Sequence, residues 1–255
     1  MLKTIYLITI DALMFNGKPK EGAVSFLKAL EMNRLPYVIL TEQSGRTREK
    51  LCEDMKKIGF RYIRPGYIYF SAMAAVDYIV STSESEIRSA YMIGGFGMKE
   101  VLEKGGFAMK QYQADYLFVG MNRNLSYLDY SEALCILEEG AQLISTDERR
   151  TQLVDSQNMI GNGAIVKMLE YASGTKSLSF GRGSELFIKQ SLRYIHTDSE
   201  HAVFVGNDFQ RDILPAQRLG MTTVYVTEGR SIMNCGMNEQ WHPDYIVNDL
   251  NGLTK

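Results

Sequence analysis

Short apolar runs closed by turn residues alternate with stretches whose apolar positions recur every three to four residues. That alternation is the pattern of strands joined by crossover helices in a parallel sheet. Residues 4 to 10 read as a first strand, 22 to 32 as a helix with Ala23, Phe26, Leu27 and Leu30 on one face, and Tyr37 to Leu40 as a second strand, followed by a helix near 46 to 58. A second set comprises strand Ala90 to Ile93, helix 97 to 104, strand Tyr116 to Val119, helix 129 to 138 and strand Gln142 to Ser145. The last third adds helices 163 to 172 and 184 to 194, strand Ala202 to Val205, helix 211 to 218 and strand Thr223 to Val226. The fold class expected is therefore α/β. No Pro-rich linker, low-complexity segment or internal repeat interrupts the pattern, so the junctions between any two domains are short.

Composition narrows the partners. The 255 residues are 45% hydrophobic and 23% charged, enough for a sizeable core. With 28 basic against 30 acidic residues, no electrostatic reason exists to expect nucleic acid or an anionic membrane surface. Cys52, Cys135 and Cys235 are odd in number, far apart and in no CxxC pair, which argues against a disulfide framework and a thiolate metal site. A reducing cytoplasmic setting is the expectation. The apolar start from Ile5 to Ile10 is too short to span a bilayer, is broken by Asp11 and has no small-residue cleavage pattern behind it, so it reads as a buried strand.

Open parallel sheets bind ligands beyond the carboxyl ends of their strands. Four such places carry polar groups: Thr9-Ile10-Asp11, Thr41-Glu42-Gln43-Ser44, Gly181-Arg182-Gly183-Ser184, and Gly206-Asn207-Asp208 through Asp212. Hydroxyls, a guanidinium near a helix start and a carboxylate cluster suit a phosphate and a hard cation.

These segments, in this order, resemble the haloacid dehalogenase (HAD) superfamily, and within it the NagD-like sugar phosphatase and p-nitrophenylphosphatase branch. The run Leu35-Pro36-Tyr37-Val38-Ile39-Leu40-Thr41, the helix opening Ser71-Ala72-Met73-Ala74-Ala75, Gly161-Asn162-Gly163-Ala164, and Arg211-Asp212-Ile213 carry the likeness over nearly the whole chain. The resemblance implies a Rossmann-like core, a parallel sheet with helices on both faces, at residues 1–75 and 178–255, with an α/β cap inserted at 76–177. It implies a hydrolase of small phosphate monoesters, a sugar phosphate or similar, that uses magnesium; cap-mediated homodimers are common in the family.

The family's first motif places a nucleophilic aspartate two residues before an acid/base aspartate. Here Thr9 stands in the first position and Asp11 in the second. A threonine hydroxyl has a far higher pKa than a carboxyl and brings no charge to a metal. Sliding the register so that Asp11 becomes the nucleophile puts Leu13 in the acid/base slot, and the loop after it is one residue short. Thr41 matches the phosphate-binding hydroxyl, Arg182 stands where a lysine is usual, and Asn207 where an acidic metal ligand is usual. Arginine keeps the charge and offers a two-pronged donor. The resemblance thus implies catalytic roles for Thr9, Asp11, Thr41 and Arg182, and weak magnesium binding by Asp11, Asn207, Asp208 and Asp212. It also implies substrate contacts by Glu42, Gln43, Ser44, Thr146 and Asp147. The partner expected is a small phosphorylated metabolite or inorganic phosphate, either hydrolysed slowly or only bound, with a non-catalytic anion-binding or interaction module as the alternative.

Plainer readings stand beside these. Thr9 and Asp11 also suit a strand end and turn cap, and Asn207, Asp208 and Asp212 suit helix capping, which is compatible with ligand binding. Gly94-Gly95-Phe96-Gly97 lacks the GxGxxG spacing and reads as a strand-to-helix turn. His196, His201 and His242 have no ligand spacing. Tyr62, Tyr67 and Tyr69 with Phe70 read as core and domain-junction packing. Thr146, Asp147 and Arg149 also fit a solvated loop.

Overall fold

The computed structural model describes residues 4–154, 156–231, 237 and 240–253. In chain order the elements are β1 (Ile5–Thr9), α1 (Ile10–Leu13), β2 (Met14–Phe15), β3 (Lys18–Pro19), α2 (Ala23–Met32), β4 (Tyr37–Thr41), α3 (Arg48–Lys57), β5 (Ile68–Phe70) and α4 (Ser71–Thr82). Next come β6 (Arg88–Ile93), α5 (Phe96–Lys104), β7 (Phe107–Met109), β8 (Tyr116–Val119), α6 (Tyr127–Glu138), β9 (Gln142–Ser145), β10 (Thr151–Val154), β11 (Gln157–Ile160) and α7 (Asn162–Ser173). The last are β12 (Leu178–Ser179), α8 (Glu185–Tyr194), β13 (Ala202–Gly206), α9 (Leu214–Arg218), β14 (Thr222–Val226) and β15 (Tyr245–Val247).

The chain forms two compact units, one of Met1–Thr41, Arg48–Tyr69 and Gly183–Lys255, the other of Glu42–Thr47 and Phe70–Arg182. In the first, a six-stranded sheet runs in the order β15-β14-β13-β1-β4-β5, with β1 parallel to both β4 and β13. β4 is buried along its whole length, as a central parallel strand covered on both faces must be. Helix α2 buries Ala23, Phe26, Leu27 and Leu30, the stripe its spacing predicts. In the second unit a five-stranded parallel sheet runs β12-β9-β8-β6-β7. Its core joins Leu117, Val119 and Leu143 from the sheet to Ala133, Ile136, Val166 and Leu169 from α6 and α7. Parallel sheets flanked by helices give both units the α/β architecture expected.

Several expectations need correction. The first strand does not run to residue 10: its ladder ends at Thr9, opposite Leu40, and Ile10–Leu13 closes a helical turn. Asp11 therefore lies in that turn and not in an extended strand end. The helix expected over 211 to 218 is a π-turn, Phe209–Ile213, leading into α9, because the Asp208 carbonyl accepts from both the Asp212 and Ile213 amides at 2.9 and 3.3 Å. The antiparallel hairpin β10-β11 and the edge strands β7, β12 and β15 were not expected. Of the tyrosines, Tyr69 is core, its ring stacked 4.4 Å from that of Tyr194, whereas Tyr62 is half exposed and packs no core. Gly94 and Gly95 form the turn from β6 into α5, and a Cβ on Gly97, in the first turn of α5, would meet the Arg46 carbonyl oxygen at 1.9 Å. Cys52 and Cys135 are free thiols; Cys235 lies outside the described residues. Among the described residues, no helix is long and apolar enough to cross a membrane.

Candidate functional site

Parallel pairing aligns the carboxyl ends of β4, β1 and β13 in the first unit. Thr41 and Thr9 close β4 and β1, and both are fully buried. Asn207 and Asp208 follow β13, and the carboxylate of Asp212 returns over its end from the π-turn. One oxygen of Asp212, Oδ2, accepts the Asn207 amide at 3.0 Å and the Asp208 amide at 3.1 Å, and lies 3.5 Å from the Thr9 hydroxyl. Two N–H donors converging on one oxygen satisfy the lone pairs of a buried carboxylate. Asp208 caps the π-turn, its side chain accepting the Arg211 amide at 3.0 Å. The structure thus brings Thr9, Asn207, Asp208 and Asp212 together, with Asp11 one turn beyond Thr9.

Three charged residues that sequence reasoning missed, Lys20, Glu228 and Arg230, stand beside them. The Lys20 ammonium donates to the Asp11 carbonyl and to Glu228 Oε1, and the same carboxylate oxygen accepts Asn207 Nδ2 at 3.0 Å. Arg230 donates to the Asn207 carbonyl at 2.6 Å. Glu228 follows β14, so the strand-end rule applied to that strand would have found it. Lys20 follows a two-residue strand and carries no such signal.

The donor set does not suit magnesium, which takes near-octahedral oxygen ligands including one or two carboxylates. Among the described residues no three His, Cys, Asp or Glu side chains gather as ligands. Asp212 Oδ2 already receives two amides, and the Asp11 carbonyl and Glu228 receive the Lys20 ammonium.

The other expected residues belong to the second unit. Glu42 is buried, and its Oε1 accepts the Arg182 amide at 2.7 Å and the Glu148 amide at 3.2 Å. Asp147 is fully buried and gripped by Arg149, whose Nε lies 3.0 Å from each carboxylate oxygen. Thr146 donates its hydroxyl to the Val119 carbonyl at 3.2 Å. The solvated-loop alternative fails for Thr146 and Asp147, since neither exposes any surface. Ser44 is buried and Gln43 exposed. Arg182 is also buried, three residues before α8, whose N-terminus is capped by the Ser184 hydroxyl instead.

A sequence profile described as haloacid dehalogenase-like hydrolase matches residues 10–108, and a second, of HAD-like hydrolases, matches 179–253. The chain belongs to the haloacid dehalogenase superfamily. It is 27% identical to the acid sugar phosphatase of Staphylococcus epidermidis over 248 residues, covering 96% of this chain and 95% of that one. NagD of Escherichia coli K-12 superposes with a TM-score of 0.87 at 26% identity, covering 98% of each chain. A single mutant of the thermostable NPPase from Geobacillus stearothermophilus gives 0.87 and 26%, covering 98% of this chain and 97% of that one. These relatives belong to the NagD-like branch of the superfamily, and so does this chain.

Proposed function

We propose that this HAD-superfamily chain binds a small phosphate monoester, a sugar phosphate or similar, or inorganic phosphate, and has lost most or all hydrolysis through an aspartyl-phosphate. The carrying observation is Thr9, buried at the end of β1 with its hydroxyl turned toward the Asp212 carboxylate. Transfer of the phosphoryl group in this family's manner needs a carboxylate there. The Thr9 hydroxyl faces Asp212 Oδ2, an oxygen that already accepts two amides, and a threonine hydroxyl needs a general base to become a nucleophile.

By the resemblance, Thr41 supplies a hydroxyl and Arg182 a cation to the phosphate, and Asp11 keeps the acid/base position. Glu42, Gln43, Ser44, Thr146 and Asp147 are proposed to face the rest of the substrate. By the same resemblance, Asn207, Asp208 and Asp212 stand at the positions where the family places its magnesium ligands. A reducing cytoplasmic setting is proposed from the odd number and wide spacing of Cys52, Cys135 and Cys235.

Two measurements test the reading. Inorganic phosphate added with a chelator is expected to raise the melting temperature, because it binds the native state alone. Hydrolysis of p-nitrophenyl phosphate with magnesium is expected to stay at background. Turnover that disappears in Asp11→Ala would show that the chemistry survives, and a melting temperature insensitive to phosphate would remove the binding.

A further inference from the structure

We propose that the Lys20 ammonium is the resident cation of the strand-end cluster in the first unit, holding the oxygen atoms a divalent ion would need, so that the cluster excludes such ions. The inference deepens the reading of a phosphate-binding member that works without a metal, and rests on it for its functional meaning. It stands on its own geometry.

Lys20 is largely buried, with 16% of its side chain exposed, and two of its three N–H bonds go to oxygens, the Asp11 carbonyl and Glu228 Oε1. Asn207 Nδ2 binds the same Glu228 oxygen, and Arg230 Nη2 lies 3.8 Å from it. Every donor here is a nitrogen carrying hydrogen, and no lone pair is offered outward by Lys20 or Arg230. A divalent ion would have to displace the ammonium from both oxygens and would meet two fixed positive charges while doing so.

The surroundings show what removal of Lys20 would expose. A cavity of about 240 Å³ opens beside it, lined among others by Glu21, Glu228 and Asp249. Lys20 is the one cationic side chain among its described lining residues. Without that ammonium, the Asp11 carbonyl and Glu228 Oε1 lose their cationic partner, and the cavity keeps Glu21, Glu228 and Asp249 with no cationic side chain among its described lining residues. Oxygens released from an ammonium are the kind of donor a hard divalent ion takes.

Manganese(II), whose free ion is counted directly by electron paramagnetic resonance, serves as the probe for full-length protein and for Lys20→Met. The wild type is expected to show no saturable binding up to about 1 mM, and Lys20→Met to bind at least about tenfold more tightly and to melt higher when the ion is added. Lys20→Gln, which keeps an N–H donor without the charge, is expected to behave like Lys20→Met and serves if that variant fails to fold. Saturable binding to the wild type overturns the proposal, and so does a folded variant that binds no better than wild type. Phosphate binding is scored separately with chelator present: its absence sinks the proposed function and leaves the manganese result to decide the role of Lys20.

Discussion

A Cβ placed on Gly206 would stand 2.4 Å from the Cβ of Asp212. Only a glycine at the end of β13 lets the Asp212 carboxylate settle over the strand and collect the amides of Asn207 and Asp208. Gly206→Ala must push the π-turn away, at a cost of about 2–4 kcal/mol. Urea unfolding measures this. A loss below about 1 kcal/mol would mean that the turn yields freely and that the frame is not held by this contact.

Restoring the missing acids tests whether a few positions separate this chain from a working phosphatase. Thr9→Asp alone buries a carboxylate beside Asp212 and is expected to cost about 3–5 kcal/mol of stability. Asn207→Asp alone supplies no nucleophile. Combined with Arg182→Lys, and with Lys20→Met to vacate the oxygens, the two should raise p-nitrophenyl phosphate turnover at least about tenfold beyond the product of the single effects. A folded, magnesium-binding combination that remains inactive would show that the first motif is aligned wrongly at Asp11-Ala12-Leu13.

Glu42 ties together segments far apart in the chain, since its single Oε1 holds the amides of Glu148 and Arg182. Glu42→Ala leaves both without this acceptor, at about 1–3 kcal/mol for each amide. Hydrogen exchange at residues 148 and 182 should accelerate together. Unchanged protection at either amide would show that Glu42 does not hold it.

Stability at low pH should respond to Glu170. Burial raises its carboxyl pKa, but hydrogen bonds from Lys167, the Ser177 hydroxyl and the Ser177 amide, with the charge of Lys167, outweigh that and bring it down to about 2. A folded value below the unfolded one, about 4.3, gives stabilisation that is full above the unfolded value and lost as pH falls through the folded value. Glu170→Gln should therefore melt below wild type at pH 7, with the gap closing between about pH 4 and pH 2. A gap that persists unchanged to the lowest pH would assign the difference to packing alone.

Much of the fold was legible along the chain because local periodicity and burial agree. The stripe Ala23, Phe26, Leu27 and Leu30 faces inward in α2, and the apolar run Tyr37 to Leu40 is a strand covered on both faces. The edge strands β7, β12 and β15 were not, since strands of two or three residues are too short to show a period and form only where a neighbour offers its unpaired edge. The break after Thr9 was hidden for a similar reason: apolar Ile10, Ala12 and Leu13 suit a buried helical turn as well as a buried strand.

The chemistry divides along the same line. Thr9, Asp11, Thr41 and Asn207 could be picked out because residues at or just past parallel strands gather at one end of a sheet; Arg182 was picked out after a strand and by the resemblance. What surrounds them could not. The ammonium of Lys20 reaches Glu228 across 208 positions of sequence, and Asp212 lies 203 positions from the Thr9 hydroxyl it faces. Arg149 closes on Asp147 from two residues away, yet only the burial of the pair distinguishes it from two solvated charges. Sequence determined which groups stand at the strand ends; which oxygen each cation claims was decided by tertiary structure, because ionic and hydrogen-bond partners are set by distance and exclusion of water rather than by position in the chain.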